Sequence, residues 1–176
     1  NFTIPGRTPF TLTASGSDLD GDTLSYHWEQ FDLATAANAE GVLSGTVTSG
    51  PLFRSFAPAS SPSRTFPSWR YILNNANVPP ATAPLPGTTT PAYMTGEVLP
   101  NANRTMNFRV TVRDNRAGGG GTNEVTSQVT IANAAGPFAL TAPNTAVSWA
   151  TGSTQTVTWN VAGTTAAPVS TANVRI

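Results

Sequence analysis

Residues 106–131, MNFRVTVRDNRAGGGGTNEVTSQVTI, place two alternating runs on either side of a glycine-rich stretch. Alternation of apolar and polar residues with a period of two is typical of a half-buried strand, because successive side chains point to opposite faces. The stretch therefore predicts an antiparallel hairpin with its loop at 114–123. The residues predicted to face the core are Met106, Phe108, Val110, Val112, Val125, Val129 and Ile131.

The same alternation recurs near the start of the chain. Residues 10–14 (FTLTA) and 24–31 (LSYHWEQF) predict two more strands, separated by the polar turn SGSDLDGD at 15–22. Tyr26 and Trp28 fall on the face predicted to be buried. Short strands bounded by turn residues, with 15 glycines and 15 prolines in the chain, favour an all-β fold, an antiparallel β-sandwich.

Residues 32–105 lack this periodicity and contain many prolines, which predicts a long insertion into the sandwich. Within it, Gly41–Val47 is a candidate short strand, and Trp69–Leu73 is a strand or one helical turn. Its aromatic residues are too many for a disordered linker. Those expected to anchor it are Phe53, Phe56, Phe66, Trp69 and Tyr71.

A partial second β-module is predicted over 136–176, after a first domain at 1–135. Its clearest strand is QTVTWNV at 155–161, preceded by a strand at 138–141 that residues 146–149 continue. The alternation predicts that Trp149 and Trp159 are core residues. About 40 residues are too few to close a sandwich, so the unit either packs on the first domain or is truncated.

The charge and the scarce residue types exclude several functions. Only 10% of residues are charged, with nine acidic and nine basic residues, all nine of the latter arginine, against about 25% in typical domains. A chain with zero net charge lacks the basic surface that binds nucleic acid. No apolar run is long enough to predict a membrane span. The absence of cysteine and lysine and the single histidine, His27, argue against thiol, Schiff-base and zinc-hydrolase chemistry.

Several stretches resemble known secreted modules. TIPGRTPFTLTASGSDLDGDTLSYHWEQFD (3–32) and FRVTVRDNRAGGGG (108–121) resemble the opening and the last hairpin of a PKD-like, immunoglobulin-like domain. FPSWRYILNN (66–75) and GEVLPNANRTMNFRVTVRDN (96–115) are similar to the non-catalytic region of secreted bacterial reprolysin-like zinc metalloproteases. TAPNTAVSWATGSTQTVTWNVAGT (141–164) resembles the next β-module of such proteins.

The resemblance implies a non-catalytic accessory module that spaces or docks the domains of a secreted, multidomain bacterial protein. Its expected partners are the neighbouring domains of that protein. The alternative is an extracellular adhesion module that binds protein or polysaccharide through residues 50–105. An exposed aromatic patch at Trp69 and Tyr71 would favour this alternative, because stacking on sugars requires exposed rings.

The motif best suited to bind a ligand is the run of Asp18, Asp20 and Asp22 around Gly21. In an immunoglobulin-like sandwich the loop between the second and third strands lies at the same end as the loop between the last two strands. This topology places Asp114 and Asn115, in the glycine-rich hairpin loop, close to the aspartate run. Clustered carboxylate and amide oxygens suit calcium, so these five residues are a candidate calcium pole. The competing interpretation is that the aspartates cap turn amides, as aspartate commonly does.

The residues offer two candidate catalytic arrangements, and neither has the geometry that catalysis requires. A triad of Ser25, His27 and an acid fails on geometry, because residues two apart on a strand point in parallel. A pair of carboxylates as sole acid and base, as in glycosidases, requires acids that face each other across a substrate cleft. Here the aspartates lie in a turn and the glutamates are scattered, so we expect no catalytic activity from this segment.

Overall fold

The computed structural model describes residues 1–35, 44–73, 82–84, 92–94 and 96–173. They form several β-sheets and one short helix, so the prediction of an all-β fold is confirmed. The helix α1 spans Trp69–Leu73. The strands are β1 Phe2–Pro5, β2 Phe10–Thr13, β3 Ser25–Gln30, β4 Ser63–Phe66, β5 Thr82–Pro84, β6 Ala92–Met94, β7 Arg104–Arg113, β8 Thr122–Ala132, β9 Ala139–Ala142 and β10 Thr158–Asn160.

The largest sheet has the order β1-β8-β7-β3. Strands β7 and β8 form the long hairpin that residues 106–131 predict, and β3 pairs antiparallel with β7, Trp28 opposite Val110. Strand β1 pairs parallel with β8, Phe2 opposite Val129. Alternate residues of β3 are buried, Tyr26 and Trp28 among them, as the alternation predicts.

A ribbon of β2 and β4 packs against this sheet through aromatic rings. Phe10 on β2 lies 5.7 Å from Phe108 on β7, and Phe66 on β4 lies 4.9 Å from the same ring, measured between centroids. Phe53 joins the cluster at 5.1 Å from Phe66. Burying each such side chain contributes about 1.5–3 kcal/mol. Strand β4 lies inside the stretch predicted as an irregular insertion, so part of that stretch is core.

The prediction that Val125 faces the core is wrong, since 63% of it is exposed. Strand β2 is four residues long, whereas β8 is eleven, so the ribbon covers only part of the hairpin. A groove of about 540 Å³ remains where that cover ends, and its lining includes Leu12, Val110 and Val125. Val125 pairs with Val110 in register, but it lies at this groove, beyond the part of the hairpin that the ribbon covers.

Two further expectations concern the insertion. Trp69–Leu73 forms the helical turn rather than the strand. The candidate strand Gly41–Val47 lies partly outside the described residues, and its described part, 44–47, is a turn. Of the aromatic anchors, Phe53 and Phe66 are buried and Trp69 is not.

Residues 136–173 contain only a small ribbon of β9 and β10. The predicted strand 155–161 is limited to Thr158–Asn160, and residues 146–149 form no strand. The prediction that Trp149 and Trp159 are core residues is wrong, because 50% and 39% of them are exposed. Two short strands bury little side-chain surface on either face. The Trp159 ring does have one aromatic neighbour, Phe138, whose ring centroid lies 6.3 Å away.

Candidate functional site

The loop between β2 and β3 meets the loop between β7 and β8 at one end of the main sheet. Asn115 joins them: its Oδ1 accepts a hydrogen bond from Ser25 Oγ at 3.0 Å, and its Nδ2 donates to the Thr23 carbonyl at 2.9 Å. Asn115 has a φ of 61°, a left-handed conformation that asparagine tolerates better than most residues. This contact brings the residues of the candidate calcium pole to one end of the molecule.

Asp18 caps the first of these loops. Its Oδ1 accepts the backbone N–H groups of Asp20 and Asp22, each at 3.0 Å. Gly21, between them, has a φ of 82°, which glycine adopts without steric cost. The geometry of Asp18 is therefore that of a turn-capping aspartate.

Arg116 faces the other two aspartates of the run. Its Nη1 contacts Asp20 Oδ2 and lies 3.7 Å from Asp22 Oδ2. All three side chains are more than a third exposed, so the pairs contribute little to stability. Sequence reasoning overlooked Arg116, although it is the one basic residue in the loop 114–121.

Asp114 caps the second loop in the same manner as Asp18 caps the first. Its Oδ2 accepts the Gly121 N–H at 2.6 Å, and its Oδ1 accepts the Arg116 N–H at 3.1 Å. These two backbone donors hold the pKa of Asp114 below its ordinary value, since they stabilise the carboxylate. A shallow pocket of about 210 Å³ lies between Asp18 and Asp114.

The fit of a calcium ion to this pole depends on Arg116. Within the described residues, no three aspartate, glutamate, histidine or cysteine side chains form a group that could hold a metal. Asp18 and Asp114 accept backbone amides, while Asp20 and Asp22 face a guanidinium. An ion that used Asp20 and Asp22 would have to displace Arg116.

The two predicted binding-surface residues lie on α1. Trp69 is 59% exposed, and the Arg70 guanidinium lies 5.3 Å from the centre of the half-buried Tyr71 ring. Only Trp69 therefore offers a largely open aromatic face here.

His27 lies beside an acid but away from a nucleophile. Its Nδ1 is 3.7 Å from Glu29 Oε2, whereas the hydroxyl of Ser25 donates to Asn115. The Glu29 carboxylate also faces Arg109 at 3.7 Å and accepts a hydrogen bond from Ser55. This arrangement is a partly buried cross-strand ion pair with a neighbouring histidine.

Sequence reasoning also missed a buried polar cluster, which we call the clasp: Gln30, Asp32 and Arg104. Gln30 Oε1 accepts the N–H groups of Leu52 and Phe53 at 2.8 and 3.2 Å. Arg104 donates to the carbonyls of Val47 and Gly50 at 3.0 and 2.6 Å. Both side chains thereby hold the 47–53 segment on strands β3 and β7.

Asp32 joins the two halves of the clasp. It accepts hydrogen bonds from Gln30 Nε2 and from the backbone and side chain of Asn107, and it lies 3.6 Å from Arg104. Burial lowers the pKa of Arg104, and the Asp32 charge opposes that shift. The one available signal in the sequence was the presence of ionised residues at strand ends in a chain with very few charges.

A second buried pair fixes the segment that carries β4. Glu97 is almost fully buried, and its Oε1 lies 3.7 Å from Arg64 Nη2. Arg64 also donates to the carbonyls of Trp28 and Arg54 at 2.6 and 2.5 Å and covers the rings of Phe56 and Phe66. Burial lowers the pKa of Arg64, and Glu97 opposes the shift.

Comparisons with protein-family models, with curated proteins and with solved structures found no match. Among the described residues no helix is both long and apolar enough to span a bilayer.

Proposed function

We propose that the chain is a non-catalytic accessory module that spaces or docks neighbouring domains of a secreted bacterial metalloprotease. The clasp is the observation that carries the spacer role, whereas the secreted metalloprotease setting rests on the resemblance of residues 66–75 and 96–115. A spacer must transmit a fixed geometry, and the clasp ties 47–53 to two core strands through four backbone contacts. Glu97 and Arg64 secure the β4 segment in the same way.

The strand arrangement supports an immunoglobulin-like form for this module. In such sandwiches the second and fifth strands share one sheet, and the third, sixth and seventh share the other. Here β2 pairs with β4, while β3, β7 and β8 are neighbours. The parallel β1 completes the larger sheet.

A distance measurement tests the rigid-spacer role. The chain has no cysteine, so Thr48→Cys and Thr126→Cys introduce two unique spin-label sites, one on the clasped segment and one on β8. We expect a single narrow distance distribution, which broadens when Asp32→Asn is added. A broad distribution in the labelled parent would contradict a rigid spacer.

The metalloprotease setting has a separate test. We expect the reading frame that encodes these residues to encode a histidine-rich zinc motif as well. A frame that encodes no such motif would leave the spacer role intact but would refute the metalloprotease parent.

Calcium binding at Asp18, Asp20, Asp22, Asp114 and Asn115 is part of the proposal. The placement of Asp18 and Asp114 on one shallow pocket supports it. Arg116 opposes it, as does the lack of a metal-sized group of acids among the described residues. We therefore expect millimolar calcium to raise the melting temperature slightly, and to raise it more in Arg116→Gln, which removes the competing cation. Unchanged melting temperatures in both proteins would refute calcium binding, and magnesium provides the control ion.

The second candidate function is adhesion through residues 50–105, and the exposure of Trp69 favours it. Trp69→Ala should then abolish retention on immobilised polysaccharide or extracellular protein. Trp149→Ala is the matched control, because Trp149 is similarly exposed but lies outside the insertion. Equal retention of both variants would count against the adhesion role.

A further inference from the structure

The loop between β2 and β3 contains the only Asp-Gly dipeptide of the chain, Asp20-Gly21. Isomerisation of aspartate requires the next backbone nitrogen to attack the side-chain carboxyl, and a side chain on the next residue hinders that attack. A Cβ built on Gly21 would have no atom within 4 Å. The space around Gly21 is therefore open.

The hydrogen bonds of the loop leave the Gly21 nitrogen available. Asp18 Oδ1 accepts the N–H groups on either side of it, those of Asp20 and Asp22. Within the described residues the Gly21 N–H has no protein partner. The Asp20 side chain is 67% exposed, so water reaches both reacting groups.

We propose that Asp20-Gly21 is a site of spontaneous isoaspartate formation. With the Asp20 carboxyl protonated, the Gly21 nitrogen bonds to Asp20 Cγ and the Cγ–OH bond breaks. The hydroxyl takes the Gly21 N–H proton and leaves as water, which closes a succinimide ring. Water then adds to the ring. Opening at the Asp20 main-chain carbonyl leaves the chain linked through the side chain, as isoaspartate, and opening at Cγ restores aspartate. The water lost in the first step is regained in the second, and no other reactant is needed.

Arg116 restrains this reaction. Its guanidinium contacts Asp20 Oδ2 and thereby holds the carboxyl in one orientation. The contact is exposed, so salt weakens it. Removing the contact frees the side chain to rotate towards Gly21, and isomerisation should then accelerate.

The other four aspartates of the chain are internal controls. Each precedes a residue with a side chain: Leu19, Thr23, Leu33 or Asn115. Asp32 is also held by Gln30 and Asn107, and Asp114 is held by two backbone donors. Isoaspartate should accumulate at Asp20 before any of them.

The test is prolonged incubation of the full chain in neutral buffer, followed by proteolysis and mass spectrometry that locates isoaspartate. We expect isoaspartate at Asp20, its loss in Gly21→Ala and faster accumulation in Arg116→Gln. In Asp20→Asn, the amide should convert to a mixture of aspartate and isoaspartate through the same ring. An intact amide in Asp20→Asn, or equal isoaspartate at Asp18 and Asp20 in the parent chain, would overturn the proposal.

Discussion

At the scale of single residues, we expect the loss of a buried charge partner to cost this chain more stability than the loss of an exposed one. Asp32, Arg104, Glu97 and Arg64 are ionisable groups in or beside the core, whereas the acids of the candidate calcium pole lie at the surface. A buried charge that loses its partner is left without compensation, and its cost is large. Exposed pairs contribute little.

Replacement of Asp32 should show this difference. Asp32→Ala leaves Arg104 buried and unpaired, so we expect the free energy of unfolding to fall by about 3–5 kcal/mol. Glu124→Ala, which removes an exposed partner of Arg109, should cost only about 0–1 kcal/mol. Urea unfolding of the two variants gives the comparison, and equal losses would refute the clasp's role in stability.

The capping of Asp114 predicts a specific dependence on acid. Its pKa is lowered in the folded chain by the N–H groups of Gly121 and Arg116. Its stabilising contribution is therefore complete above the ordinary aspartate pKa of about 3.9 and is lost as the pH falls through the lower, folded value.

Asp114→Asn removes the titrating group, so its melting temperature should fall less steeply in acid than that of the parent chain. Melting curves across the acid range measure the slopes. The control is Glu124→Gln, which removes a carboxylate that caps no loop. A slope unchanged by Asp114→Asn would contradict the capping role.

At the scale of elements, periodicity predicted the strands whose neighbours are regular. The alternation of 24–31 and 106–113 located β3 and β7, and Trp28, Phe108 and Val110 are buried as predicted. Periodicity describes one strand at a time and carries no information on the length of the opposing layer. It therefore could not show that β2 and β4 stop short of Val125.

The same limitation of periodicity explains why Trp149 and Trp159 were wrongly predicted to be buried. An alternating strand containing Trp159 is compatible with burial, but burial requires a second layer, and the β9–β10 ribbon has only two strands. For the candidate site, the loop pairing followed from the topology that the resemblance implies. The roles of Arg116 and the clasp could not be predicted in this way, because the distant partner of a single charged residue leaves no periodic signal in the sequence.

Two tryptophan variants test this distinction between elements. Trp28→Ala removes a buried ring whose Nε1 donates to the Pro62 carbonyl, and we expect a loss of about 3–5 kcal/mol. Trp149→Ala should change stability by no more than about 0.5 kcal/mol. Equal losses in denaturant unfolding would mean that Trp149 is buried in solution.

At the scale of the whole molecule, hydroxyl pairs take the place of surface charge. Threonine and serine side chains face each other across strands, at 2.8 Å between Thr11 and Thr65 and at 2.8 Å between Thr13 and Ser63. Such cross-strand pairs stabilise a sheet modestly. Two ion pairs, Asp32 with Arg104 and Glu97 with Arg64, lie where long segments join the core, and we expect them to stiffen the proposed spacer.

Hydrogen exchange at the Leu52 and Phe53 amides tests the central claim most directly, namely that the clasp makes the 47–53 segment part of one rigid unit with β3 and β7. If they open only when the unit unfolds, they should exchange as slowly as the amides of β7 and β8, and Gln30→Ala should accelerate them selectively. Rapid exchange at Leu52 and Phe53 in the parent chain, while β7 and β8 stay protected, would show that the segment moves independently and would contradict a rigid spacer.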